Sequence, residues 1–266
     1  MLGATRVLPL DGLPLRADAV TFVAGRADDA AEVCAVAQPV LLDYAPAVPN
    51  GRAMLVIGGG GYVALMAGRE GVQVARWLTG LGYHVFLLVH RFPDARSGAL
   101  APLEDALAAL RLMDGEGFSG IGVVGLSSGG HLAACLATSA AASAPRPDAM
   151  VIGYAPISTN AAGRTIVADK PPLAPPEKQA LYDALQPDAD LVADPPPAFI
   201  VYAANDAVVP VENAWRLHRA WLAAGGVAEC HIYADAPHGF ALDTADRPVS
   251  LWPGACEAWL RQTGFL

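Results

Sequence analysis

The sequence predicts an α/β fold, a mostly parallel central sheet with helices on both faces. Two observations carry this. From Ala53 onward, strand-like and helix-like segments alternate with short connections, which is the pattern of parallel strands joined by crossover helices. The apolar runs, such as Val85-Phe86-Leu87-Leu88-Val89, are also strand-sized, far below the ~18 residues needed to cross a bilayer. A third observation points to where the chemistry sits. Gly125-Leu126-Ser127-Ser128-Gly129-Gly130 lies between the β-branched run Ile121-Gly122-Val123-Val124 and the alanine-rich stretch His131 to Ala137. Strand, G-x-S-x-G, helix is the context of a nucleophile elbow, with the middle serine on a strained turn at a sheet edge.

The strands expected are Ala53-Ile57, Tyr83-Val89, Ile121-Val124, Ala149-Tyr154, Ala198-Ala203 and Glu229-Tyr233. Helical patterns run from Glu70 to Leu81, Pro102 to Met113, His131 to Ala141, Val211 to Ala224 and Pro253 to Gln262. The second has proline near its start and Glu104 and Asp105 in its first turn, all favourable at a helix N-terminus. Ala19-Ala24 and Glu32-Tyr44 read as strands with no helix between them, hence as an antiparallel edge. Ile157 to Pro197 breaks the rhythm. It is rich in proline and holds one short helical pattern, Glu177 to Leu185. This short proline-rich, lid-like insertion reads either as a lid or substrate wall, or as a solvent-facing excursion. With no internal repeat and no low-complexity linker, residues 1–266 are expected to form a single domain.

Composition narrows the function classes. Lys and Arg total 17 against 26 Asp and Glu, a net charge of −9, and no basic run occurs, which disfavours nucleic acid as a partner. Asp11, Arg16 and Asp18 interrupt the N-terminal stretch, which has no apolar core of a signal peptide, so a cytoplasmic protein with no membrane partner is expected. Cys34, Cys135, Cys230 and Cys256 are far apart and lack C-x-x-C spacing. They read as small buried hydrophobes in a reducing compartment, with no metal expected.

A serine hydroxyl is a weak nucleophile, and it needs a base within hydrogen-bond reach and a third group to orient that base. Asp206 follows the strand Ala198-Ala203 at its C-terminal end, and His238 lies in the loop after Glu229-Tyr233. Ser127, Asp206 and His238 are therefore the candidate catalytic residues. Asp235 shares the loop of His238 and is poorly placed to face its ring. Ser128 is not flanked by glycine at both second-neighbour positions, as Ser127 is. His84, His231 and His218 read as packed or surface histidines. His90 and Arg91 stand at a strand end, either as substrate contacts or in structural hydrogen bonds. Upstream, a strand runs into Gly58-Gly59-Gly60-Gly61-Tyr62, where backbone N–H groups can turn toward a developing oxyanion. A phosphate loop would need lysine and Ser/Thr next, and a dinucleotide site G-x-G-x-x-G; Tyr62-Val63-Ala64-Leu65 fits neither. The expected oxyanion donors are the N–H groups of Gly60, Gly61 and Ser128.

Together these residues resemble the α/β-hydrolase superfamily, specifically the acetylxylan-esterase-like and related lipase/esterase proteins. The resemblance is carried by Gly58 to Tyr62, Glu70-Gly71, the elbow from Gly125 to Ala133, the Asp206 to Pro210 turn and His238-Gly239-Phe240, over roughly residues 40 to 262. Gly58 stands where that family has proline or histidine, and Ser128 where it often has alanine. The resemblance implies an α/β-hydrolase fold and a serine esterase working through a Ser-His-Asp triad and an acyl-enzyme, with no cofactor. Its substrate is expected to be a small-molecule ester, acetyl esters of carbohydrates being the class suggested. An amidase or arylformamidase-like hydrolase on the same scaffold is the alternative. A non-catalytic binding module is disfavoured by the presence of all three candidate residues. Oligomeric state, a homodimer included, is open at this level.

Overall fold

A computed structural model describes residues 1–166 and 170–266; residues 167–169, within the expected insertion, lie outside the described set. Among the described residues, eight strands form one sheet in the order β1-β4-β6-β5-β7-β8-β9-β10. β1 (Arg6–Pro9) pairs antiparallel with β4 (Val40–Tyr44), and β4 pairs antiparallel with β6 (His84–Val89). β5 (Ala53–Ile57), β6, β7 (Ile121–Leu126), β8 (Ala149–Gly153), β9 (Ala198–Ala203) and β10 (Ala228–Tyr233) are all parallel. Strands β5, β7, β8 and β9 are buried along their whole length, as strands covered on both faces must be. No helix of the described residues is long and apolar enough to cross a membrane.

Helix α1 (Gln73–Gly80) follows β5, and α2 (Ala101–Asp114) follows β6. The chain thus moves to one side of β5 and then crosses to the other. Right-handed crossovers put those two helices on opposite faces and open a crevice at the C-terminal ends of β5 and β7. α3 (Ser128–Cys135) packs beside α2. α1 meets α7 (Trp252–Gln262) through Trp77 set edge-on to Trp252, centroids 5.3 Å apart, with the Trp77 indole N–H bonded to Glu257 at 2.8 Å. α6 (Glu212–Ala223) precedes β10.

The N-terminal edge differs from expectation. Val20–Phe22 (β2) and Val33–Val36 (β3) form a separate two-stranded ribbon, and only β4 joins the main sheet. Pro39, which has no N–H to give a ladder, separates β3 from β4. β1, only four residues long and ending in proline, is held to β4 by its antiparallel ladder and by Arg6 Nε on the buried Asp43 carboxylate at 2.5 Å. The helix after the elbow begins at Ser128 rather than His131 and stops at Cys135. Beyond it, Leu136 and Ala137 donate to carbonyls three residues back, which tightens the chain out of the α-helix. The segment expected as one helix from Glu70 is a π-helical turn, Gly68–Val72, running into α1. Of the cysteines, Cys135 and Cys256 are buried as expected, whereas Cys34 is exposed on the ribbon.

The insertion carries α4 (Pro176–Ala184) and the short α5 (Pro187–Asp190). It is fastened from within. Leu181 and Tyr182 are buried, and the Tyr182 ring meets Tyr62 and His131 with centroids at 5.6 and 4.7 Å. Leu185, expected as the last helical residue, is extended instead, and its carbonyl accepts a hydrogen bond from His131 Nε2 at 3.0 Å. Nδ1 of the same ring therefore accepts the Tyr62 hydroxyl, at 2.9 Å.

Burial pushes both His131 and His90 down to about 4. A histidine whose pKa is lower in the folded state adds stability above its unfolded value and loses it as pH falls through the folded one. The urea midpoint should therefore drop between about pH 6.5 and pH 4, each ring accounting for up to about 3 kcal/mol. His131→Gln, which keeps both hydrogen-bonding capacities without a titrating ring, should flatten that drop.

Candidate active site

Ser127 leaves β7 with φ +52° and ψ −124°, a backbone conformation that costs an L-residue roughly 1–3 kcal/mol. Its surroundings hold it there. The Ser127 N–H donates to Gly153 O at 2.9 Å, and its carbonyl accepts the N–H groups of Gly130 and His131 at 2.9 and 3.1 Å. The flanking glycines are required by contact. A side chain on Gly129 would begin 2.1 Å from Ile57 O, and one on Gly125 2.3 Å from Gly129 O. Non-glycine residues with positive φ recur around this point: Tyr62, Tyr154 and Ala241 share the feature with Ser127.

The structure brings Ser127, His238 and Asp206 into one hydrogen-bonded chain. Ser127 Oγ lies 3.0 Å from His238 Nε2, and His238 Nδ1 lies 2.7 Å from Asp206 Oδ2. The Asp206 side chain is fully buried, and its other oxygen accepts the N–H groups of Val208 and Val209 at 2.8 Å each. A carboxylate that only accepts fixes the proton on His238 Nδ1 and leaves Nε2 free to receive one from serine. Asp235 points elsewhere, to Asn205 at 2.6 Å and Arg247 at 2.9 Å. His84 and His231 pair with Asp43 and Glu229, and His218 bonds the Ala228 carbonyl. His90 is buried with Nδ1 on Arg91 O and Nε2 without a partner among the described residues, Arg91 grips Asp105 at 2.6 Å, and neither lines the cavity over Ser127.

The glycine turn after β5 approaches from the other side. Among the described residues, the N–H groups of Gly60 and Ser128 have no protein acceptor. The N–H of Ser128 is left over because it opens a helix. Gly61 departs from expectation: its N–H donates to the hydroxyl of Ser128 at 2.9 Å. The sequence assigned Ser128 only a backbone role, yet its side chain occupies one of the three expected donors. Gly60, at φ +134°, cannot carry a side chain, which would begin 2.2 Å from Ala64 O.

A cavity of about 370 Å³ lies over these groups, with Met66 and Val208 as its apolar walls. Glu70 also lines it and was not a candidate from chemistry. It is 4% exposed, accepts the Gly59 N–H at 2.6 Å and the Tyr154 hydroxyl at 3.1 Å, and burial pushes its pKa up. Its sequence signal was the Glu70-Gly71 pair, which entered only through the family resemblance. No described residue of the insertion lines this cavity, although Lys178 Nζ would come within 3.6 Å of a side chain on Gly61. Among the described residues, no three His, Cys, Asp or Glu side chains gather as metal ligands would.

Residues 55–242 match the model of a family described by the alpha/beta hydrolase fold. Over 219 residues the chain is 27% identical to an acetylxylan esterase of Xylanibacter ruminicola, covering 76% of this chain and 43% of that protein. The chain thus spans less than half the length of that curated relative. Among solved structures, an acetyl ester-xyloside bifunctional hydrolase from Caldicellulosiruptor lactoaceticus superposes with a TM-score of 0.72 at 25% identity, covering 98% of this chain and 97% of that one. A carboxylesterase from Lactobacillus plantarum superposes with a TM-score of 0.71 at 20% identity, over 93% and 98% of the two chains.

Gly129→Ala should lower stability by about 3 kcal/mol or more, because Ile57 O is backbone in a buried strand and cannot move aside. Gly254→Ala, in open space on α7, should leave the melting temperature within about a degree of the parent. Thermal unfolding of the two variants checks this.

Proposed function

The chain belongs to the α/β-hydrolase fold family, and on that premise we propose that it is a serine esterase cleaving small carboxylic esters. The observation that carries this reading is the unbroken chain Ser127 Oγ, His238 Nε2, His238 Nδ1, Asp206 Oδ2, all at strand ends beneath one cavity. Ser127 attacks the ester carbonyl as His238 Nε2 takes its proton. Asp206 holds the ring in the required tautomer and stabilises the imidazolium without itself becoming protonated. The N–H groups of Gly60 and Ser128 hold the oxyanion. The Gly61 N–H joins them if it leaves the Ser128 hydroxyl. Collapse of the tetrahedral intermediate passes the proton from His238 to the departing alcohol and leaves an acyl-enzyme. Water, deprotonated by the same histidine, then releases the acid and restores Ser127.

Acetyl esters of carbohydrates are the substrates we favour. The similarity to the acetylxylan esterase and to the acetyl ester-xyloside hydrolase supports that choice. The cavity volume, at the small end for ligand sites, supports a short acyl group. A cytoplasmic site of action and a small-molecule ester as the substrate complete the proposal.

Ser127→Ala should lower kcat/KM for p-nitrophenyl acetate by at least about 10³-fold with the melting temperature kept. Wild-type turnover by that variant would overturn the assignment. Across acyl chain lengths, acetate should be cleaved fastest, with acetylated xylose among the substrates; a maximum at long chains would exclude the small-ester reading.

A further inference from the structure

Glu70 lies beneath the site without touching Ser127 or His238 through a hydrogen bond. We infer that it is a positioning residue that ties the oxyanion turn to the histidine loop; this rests on the serine-esterase reading above. One carboxylate oxygen accepts the Gly59 N–H at 2.6 Å, which fixes the peptide leading into Gly60 and so the direction of the Gly60 N–H. The other accepts the Tyr154 hydroxyl at 3.1 Å, and that hydroxyl oxygen accepts the Ala241 N–H at 3.3 Å, three residues beyond His238. The Tyr154 ring stands edge-on to the His238 ring, centroids 5.4 Å apart.

The packing leaves no slack in this arrangement. A side chain on Gly59 would begin 2.6 Å from the Glu70 carboxylate and 2.6 Å from Ser127 Cβ, so the turn is clamped between carboxylate and nucleophile. A side chain on Gly239 would begin 3.4 Å from the other carboxylate oxygen, which places Glu70 directly under the histidine loop. Glu70 itself comes from the π-helical turn, whose extra residue per turn is a device found often at functional sites. Its neighbour Arg69 reaches away to Asp243, bonded at 2.6 Å, and among the described residues Glu70 makes no salt bridge of its own. The charged and titratable groups around it are thus Arg69 on its own turn, Tyr154 at the end of β8 and His238 above. Burial pushes the Glu70 pKa up, but both of its hydrogen bonds are accepted, and those two donors, with Arg69 and His238 nearby, favour the ionised carboxylate against that burial. That charge favours the imidazolium which forms as Ser127 attacks.

The test uses the intact chain with p-nitrophenyl acetate as probe. Glu70→Gln keeps the shape and loses the charge. It should lower kcat by about 10²-fold, the cost of a small misplacement of reacting groups, with KM within about threefold of the parent. It should also move the acid limb of the kcat/KM profile to lower pH, since the imidazolium loses a stabilising charge. Tyr154→Phe, which cuts only the link to the histidine loop, should give a smaller fall in kcat. Parent kcat and an unmoved acid limb in Glu70→Gln would overturn the inference. So would a fall in melting temperature and kcat together with an unmoved limb, because that is the signature of a structural residue alone. If Ser127→Ala were active, the serine reading would fail instead. If Ser127→Ala is inactive while Glu70→Gln behaves as the parent, only the role of Glu70 fails.

Discussion

Ser127 is held in a left-handed backbone conformation between a buried strand and a helix, and the rest of the molecule is arranged around that constraint. A single residue with φ +52° cannot persist on its own; the turn survives because its backbone groups are bonded and its neighbours are too close to let it relax. Gly129 lies against the last carbonyl of β5, and Gly125 against the first turn of α3, so strand, turn and helix are a single steric unit. The same closeness puts the Ser128 N–H beside the glycine turn that leaves β5. Ser127 and the open N–H groups of Gly60 and Ser128 are thus set by one packing contact rather than by two independent loops.

From that point the site is assembled by strand ends. β9 delivers Asp206 and β10 delivers His238, and the parallel register between those strands keeps their C-terminal ends level. Asp206 is held by two backbone N–H groups of its own turn before it meets the histidine, so the carboxylate is oriented locally and the imidazole is oriented by the carboxylate. Tyr62, Tyr154 and Ala241 share the positive φ of Ser127. These four strained residues stand where the sheet stops and the loops begin, over a buried core that can hold them.

The insertion does not hang free of this frame. Tyr182 and the Leu185 carbonyl meet Tyr62 and His131, residues of the glycine turn and of the elbow helix. A buried imidazole bonded at both nitrogens joins three parts of the chain that are distant in sequence. The consequence is that the proline-rich segment braces the back of the oxyanion turn. It does not wall the cavity over Ser127 among the described residues.

Much of this was legible from the sequence, for a local reason. Strands buried on both faces read as apolar β-branched runs, and the elbow glycines announce a turn that no other residue fits; Ser127, Asp206 and His238 follow because each sits just past such a run. The antiparallel strands of the N-terminal ribbon were legible, but its separation from the main sheet, the start of α3 and the π-helical turn at Glu70 were not, because each is settled by how the chain packs. The Gly61 N–H was read as an open donor, and only the folded chain shows that the Ser128 hydroxyl, 67 residues on, has taken it. Glu70 is the clearest case. As a sequence letter it is an acid at a helix start; as a buried carboxylate between Gly59 and Tyr154 it is part of the site. Backbone preference and apolar periodicity are properties of neighbouring residues, so the sequence by itself determined the sheet, its helices and the three aligned side chains. Hydrogen bonds between distant segments depend on how those elements pack, and only the tertiary structure decided which polar groups would hold the site in place.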